Sequence, residues 1–153
     1  MSDNDNLKVV KDAYQAYRER NFRALRNCLT DDVKWFAIGP PDEIPTAGTR
    51  YGRDQVEQYF VTLERTEEVN GFEPREFIAQ GDNVVAIGEL QRRVKKTGSL
   101  ISSPWIHVFT LRKGKISDFR SFYDTAAAVS ALGTNEWRSA KLGTKETLSP
   151  MVL

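Results

Sequence analysis

The most constraining feature of this chain is a run of sheet-like segments in its second half, preceded by helix-like periodicity in its first. Glu73 to Ala79, Asn83 to Arg93, Leu100 to Arg112 and Lys115 to Tyr123 alternate or run apolar. Between them lie Gln80-Gly81-Asp82-Asn83, Thr97-Gly98 and Arg112-Lys113-Gly114-Lys115. Each separator carries the glycine and short polar residues that a hairpin turn requires. The alternation is clearest late in the run. Trp105, His107, Phe109 and Leu111 share one face, and Ile106, Val108 and Thr110 share the other, because successive strand side chains point to opposite sides.

Upstream the period changes. Leu7, Val10, Tyr14 and Tyr17 recur at helical spacing, with Val9 and Ala13 widening the stripe and Lys8, Lys11, Gln15 and Arg18 largely outside it. Asp5 or Asn6 is placed to cap this first helix. Asn21 is placed to cap a short second helix whose Phe22, Leu25 and Leu29 share a face, ended by Thr30-Asp31-Asp32. Val33 to Ile38 reads as a strand closed by Gly39-Pro40-Pro41, since two successive prolines cannot continue it. A loop is expected to Gly48, and a third helix from Arg53 with Val56, Tyr59, Phe60 and Leu63 inward. Asn70-Gly71 is expected to break the chain before the strands. Asp124 is a plausible cap for a last helix, Thr125 to Leu132, ended by Gly133.

Helices first and an antiparallel meander afterwards is an α+β pattern, with helices gathered on one face of a bent sheet. Strong curvature leaves the open end of such a sheet as a cavity. The expected architecture is therefore a cone-shaped α+β barrel, a mostly antiparallel sheet wrapped around the long first helix. At 153 residues one domain suffices, residues 1–133, and it needs no covalent staple. Residues 134–153 read as a polar tail, loose or packed on a dimer partner.

Charge excludes some partners. With 22 basic and 21 acidic residues the net charge is +1, so no large field steers a nucleic acid. The basic piece Arg92-Arg93-Val94-Lys95-Lys96 stands at a strand end, where solvated charge is the expected filler. The polar, acidic start is unlike a signal peptide, and no apolar run is long enough to cross a bilayer. A single Cys28 fits a reducing cytoplasm and a small hydrophobe's role. One histidine, one cysteine and no clustered carboxylates leave no metal site to expect. No cofactor is expected, as no phosphate loop or dinucleotide fingerprint is present.

Several local strings carry a resemblance. They are Val9-Val10-Lys11-Asp12-Ala13-Tyr14, Leu29-Thr30-Asp31-Asp32-Val33-Lys34-Trp35, Tyr51-Gly52-Arg53-Asp54-Gln55-Val56 and Gly81-Asp82-Asn83-Val84-Val85-Ala86. The longest is Trp105-Ile106-His107-Val108-Phe109-Thr110-Leu111-Arg112-Lys113-Gly114-Lys115-Ile116. Together these resemble the nuclear-transport-factor-2-like (cystatin-like) superfamily, and within it the SnoaL-like group of polyketide cyclases and ketosteroid-isomerase-related proteins. The resemblance covers residues 7–132.

The scaffold hosts isomerases, dehydratases, cyclases, hydrolases and binding modules, so the site residues decide. The steroid-isomerase tyrosine aligns with Ala13, its base with Trp35 or Phe36, and its oxyanion-side acid with His107. The limonene-epoxide-hydrolase positions read Trp105, His107 and Ser121. The SnoaL-like cyclases match at His107, at Gly114-Lys115-Ile116 and at Asp124, while their acid/base aspartate position holds Ser121.

His107 is the only histidine, and its ordinary pKa suits it to proton transfer near neutrality; the alternative is a hydrogen-bonded core imidazole. Ser121 is expected on the same inward face, as a site hydroxyl or a structural one. Glu89, in the apolar run from Val84 to Leu90, is a candidate base if inward and a solvated edge residue if outward. Tyr14, Tyr17, Trp35, Phe36, Phe60, Trp105, Phe109 and Tyr123 are candidates to line a pocket for a flat apolar molecule. The expected function is binding of an apolar, carbonyl-bearing small molecule, with proton transfer next to that carbonyl (isomerase, aldol cyclase or dehydratase type) if it is an enzyme. The alternative is a non-catalytic binding or assembly domain. The resemblance also implies a homodimer through the outer sheet face.

Overall fold

The structure, a computed structural model, describes residues 2–133. The expected tail, 134–153, lies outside the described residues. Helix α1 spans Asp3–Arg18. Its cap is Ser2, not Asp5 or Asn6: the Ser2 hydroxyl accepts from the Asp5 N–H, and the Asp5 side chain accepts from the Ser2 N–H. This reciprocal box leaves Asn6 free to turn inward. Two further bonds tie the start of α1 to the Gly81 turn. Asp3 Oδ1 accepts from the Gly81 N–H at 3.0 Å, and Asn6 Nδ2 donates to the Gly81 carbonyl at 3.1 Å.

Helix α2 (Phe22–Asn27) is capped by Asn21, whose side chain accepts from Ala24 N–H as expected. Strand β1 (Leu29–Ala37) begins earlier than expected. Thr30-Asp31-Asp32 does not end a helix; it lies within β1, where the register against the neighbouring strand slips between Leu29 and Lys34. Strand β2 (Gly48–Tyr51) begins where the expected loop ends. It is a four-residue edge strand paired antiparallel with β1, directly before helix α3 (Gly52–Thr66).

Strand β3 (Glu67–Gln80) includes Asn70-Gly71, which bends the strand and does not break it. Register shifts between Val69 and Gly71 and between Pro74 and Glu76 mark two bulges. Strands β4 (Asn83–Val94), β5 (Leu100–Arg112) and β6 (Lys115–Tyr123) follow the sequence reading closely. Helix α4 (Thr125–Ala131) is capped by Asp124, which accepts from Ala127 N–H. Gly133 follows it with φ of +73°, the left-handed conformation that ends helices cheaply only at glycine.

The sheet order is β2-β1-β6-β5-β4-β3. All pairs are antiparallel except β1 with β6, whose long crossover carries β2 to β5. The sheet wraps without closing, since β2 and β3 are both edges. The pleat decides what faces inward. From β4 come Val84, Ala86, Leu90, Arg92 and Val94, and from β5 come Ile101, Ser103, Trp105, His107, Phe109 and Leu111, all buried. Helix α1 lies against this face through Val10, Ala13, Tyr14 and Ala16.

Gly88 is the one inward β4 position without a side chain, and the reason is close approach. A Cβ there would overlap the Glu73 carbonyl oxygen and the indole of Trp105. The Trp105 ring occupies the space above Gly88 and stacks on Phe72 at 4.7 Å with 3° between planes.

Candidate functional site

Helix α1 and strand β5 meet at one polar contact inside this aromatic core. Tyr14 Oη lies 2.7 Å from His107 Nδ1, and both side chains are buried. Helical rotation places Tyr14 on the face that Val10 and Ala13 define, and the β5 alternation brings His107 to meet it. The imidazole is packed between rings: Trp105 is stacked at 4.1 Å, Phe119 stands edge-on at 4.7 Å, and Tyr14 lies at 14° to it.

That setting fixes charge. Burial, reinforced by the nearby Arg92 charge, holds the His107 pKa well below its ordinary 6.5. Burial also drives the Tyr14 hydroxyl well above 10. Both groups are neutral around neutrality, and the contact then has two equivalent forms. Either the tyrosine O–H donates to bare Nδ1 and Nε2 carries the hydrogen, or Nδ1–H donates to the tyrosine oxygen and Nε2 is bare. Moving between the two converts His107 from a donor to an acceptor at Nε2.

Tyr14 and His107 border a hollow of about 50 Å³. Since one water needs about 10–15 Å³, that is room for a few waters. Tyr17, Trp35, Phe60 and Phe109 border it. So do residues the sequence reading did not single out as lining: Tyr59, Phe72, Phe119 and Arg92. Phe72 is half-buried and also borders a surface groove with Arg18, Glu73 and Gln91, so its ring is the partition between groove and hollow.

Three expected lining residues sit elsewhere. Phe36 has the opposite pleat phase from Trp35 and lies beside Phe122 on the outer face, with ring centroids 6.3 Å apart. Trp105 is buried behind His107 and does not reach the hollow. Tyr123, opposite Trp105 in the β5–β6 register, stays beneath the lining with its hydroxyl buried and its pKa pushed up to about 12 by burial.

Of the catalytic candidates, Ser121 faces inward and is the cross-strand partner of His107. It does not border the hollow. Glu89 is exposed on the outward phase of β4, opposite Glu73 and Pro104, and is not brought to the site. The alternation that buries Leu90 turns Glu89 away.

The Arg92 expectation is also overturned. Within the basic piece only Arg92 and Val94 share the inward phase, and the Arg92 side chain is 9% exposed. Its Nη1 meets Glu67 Oε1 at 3.2 Å, and the Glu67 side chain is fully enclosed. Its guanidinium lies 5.5 Å over the Tyr123 ring. Burial opposes its charge, but the Tyr59 hydroxyl and the Glu67 carboxylate outweigh that and hold its pKa above the ordinary value. Counting in twos from Val84 would have found it. Cys28 is half-buried at the end of α2, with its thiol pKa raised chiefly by burial. Among the described residues, no cluster of three or more His, Cys, Asp or Glu is placed to hold a metal ion, and no helix is long and apolar enough to cross a membrane.

A bent six-stranded sheet, a long helix across its concave face and a ring-lined hollow at their junction define a small α+β pocket protein of the nuclear-transport-factor-2-like class. Within that class the chain belongs to the SnoaL-like domain family, whose sequence model matches residues 10–119. A nuclear-transport-factor-2-like protein from Burkholderia xenovorans is 30% identical, with a TM-score of 0.79 over 86% of this chain and 98% of that one. A protein of the same fold and of unknown function from Burkholderia pseudomallei is 23% identical, with a TM-score of 0.75 over 86% and 98%. TerC, crystallised with polyporic acid, is 23% identical, with a TM-score of 0.73 over 84% and 98%. No curated protein sequence matches the chain.

Proposed function

We propose that this SnoaL-like protein binds a small carbonyl-bearing molecule in the hollow beside Tyr14 and His107 and exchanges a proton with it. The observation that carries the reading is the 2.7 Å contact between a neutral tyrosine and a neutral imidazole at the border of a largely apolar hollow. With Nε2 protonated, His107 donates to the carbonyl oxygen and polarises it. With Nε2 bare, it accepts the proton from the adjacent carbon, while the charge of Arg92 favours the negative oxygen that develops. The proton that Nε2 accepts goes back to the substrate from Nε2, while Nδ1–H donates to the Tyr14 oxygen throughout, so the pair ends neutral as it began. The reaction class is therefore isomerisation, aldol cyclisation or dehydration.

A ring needs more space than about 50 Å³; a dry engineered cavity that takes benzene is about 150 Å³. Binding accordingly displaces a half-buried wall, and Phe72, between hollow and groove, is the side chain placed to move. TerC, a protein of this fold, was crystallised with polyporic acid, which agrees with a small-molecule role.

Thermal unfolding with a panel of aromatic ketones is the test. Wild type gains stability with at least one of them, and His107→Ala and Tyr14→Phe lose that gain. A panel with no binder, or a gain that survives His107→Ala, removes the proposal.

The outer sheet face supports a second role, self-association. Ile78, Val85 and Val108 form one cross-strand row, and Ile87, Ile106 and Phe122 the next. Ile78 and Ile106 are exposed. We propose that this apolar face pairs two copies of the chain.

A further inference from the structure

Arg92 is a buried cation whose protein partner satisfies only part of it. Among the described residues its one ion-pair contact runs from Nη1 to one oxygen of Glu67. Among the described residues, Arg92 Nε and Glu67 Oε2 are both buried without a hydrogen-bond partner. A guanidinium offers five N–H groups in a rigid plane, and the Nε–Nη2 edge is the one that meets two oxygens of a planar anion in parallel. With Nη1 engaged by Glu67, that edge is the part left over.

The other polar groups at the hollow agree in sign. Tyr14, Tyr17, Trp35, Tyr59 and His107 border it with Arg92, and all of them carry N–H or O–H donors. Among the described residues no carboxylate borders it. Trp35 Nε1 is buried without a partner among the described residues. Burial raises the Tyr17 and Tyr59 pKa values, so both keep their hydrogens. A cation, neutral donors and aromatic walls together are complementary to an acceptor-rich anion on a flat apolar body.

We infer that Arg92 anchors the ligand, and that the site takes a small carboxylic acid in its anionic form, a single unsaturated ring or short chain bearing the carboxylate. This deepens the proposed function and rests on the hollow being a ligand site. Arg92 then bridges Glu67 and the ligand carboxylate, while the apolar body lies among Trp35, Phe60 and Phe119.

The test is calorimetric titration of the full chain at neutral pH with benzoate and cyclohex-1-enecarboxylate, each beside its neutral amide. The acids are expected to bind about tenfold or more tighter than their amides. A double variant, Arg92→Gln with Glu67→Gln, removes both charges and orphans neither; it is expected to bring acids and amides to equal affinity. Equal binding of acids and amides by wild type overturns the anchor but leaves the hollow as a ligand site. Binding of neither overturns the anchor together with the reading beneath it. An acid preference that persists in the double variant overturns the role of Arg92. If that variant does not fold, the wild-type comparison decides alone.

Discussion

Tyr14 and His107 stand 93 positions apart in sequence and 2.7 Å apart in space, and that contact determines how the site responds to pH. His107 has a folded-state pKa well below 6.5, so as the pH falls below about 6.5 the unfolded chain takes up a proton that the folded one refuses. Stability is then lost on acidification and unaffected by this group above its unfolded value. The buried tyrosines act at the other limit. Tyr123 titrates near 12 against an ordinary 10, so its contribution is intact below pH 10 and is lost as the pH rises from there to about 12. Urea unfolding across this range is predicted to show both limbs, with the acid one shallower in His107→Gln. An acid limb unchanged by that substitution contradicts the assignment. At this scale the sequence was partly legible. His107 stood out as the only imidazole on an inward strand face. Tyr14 was legible as a lining candidate but not as the partner of His107, because alignment to the steroid-isomerase pattern favoured Ala13, its neighbour on the same buried face. Arg92 was hidden by its basic neighbours, although it shares the phase of Val84 and Leu90.

Strands β4 to β6 were legible almost to the residue, because hairpin turns and two-residue alternation are local signals, while β3 begins six residues before the expected Glu73. What failed was whatever depends on partners far away in sequence. Strand β2 exists because the exposed edge of β1 pairs with it, which no property of Gly48-Thr49-Arg50-Tyr51 announces. Asn70-Gly71 reads as a turn, yet pairing with β4 on both sides makes it a bulge. Gly88 shows the same dependence. It looks like a weak point in a strand, while its lack of a Cβ is what lets Trp105 lie across β4 and brace His107. Gly88→Ala is predicted to destabilise by about 3 kcal/mol or more, since backbone and a buried indole must both give way. Chemical denaturation measures it, and a loss under about 1 kcal/mol contradicts this packing.

For the molecule as a whole, the fold follows from the order of elements, and membership in the SnoaL-like family agrees with it. The site was less readable, since its hollow is made where helices meet an inward sheet face and its described walls come from eight elements. The same sheet has an outward face whose apolar rows call for a cover. Sedimentation at micromolar concentration is predicted to give a dimer, and Ile106→Glu, which places a charge in the centre of those rows, a monomer. A monomeric wild type contradicts the pairing.

The account as a whole depends on a neutral imidazole enclosed by rings. Because the chain has a single histidine, its ring nitrogens give one assignable set of ¹⁵N signals. Following them from about pH 7.5 to about pH 5.5 measures the charge directly. A neutral ring throughout, held in one environment by the Tyr14 hydroxyl, is the predicted result. A ring that titrates with a midpoint near 6.5 is in contact with bulk water and contradicts the enclosed site.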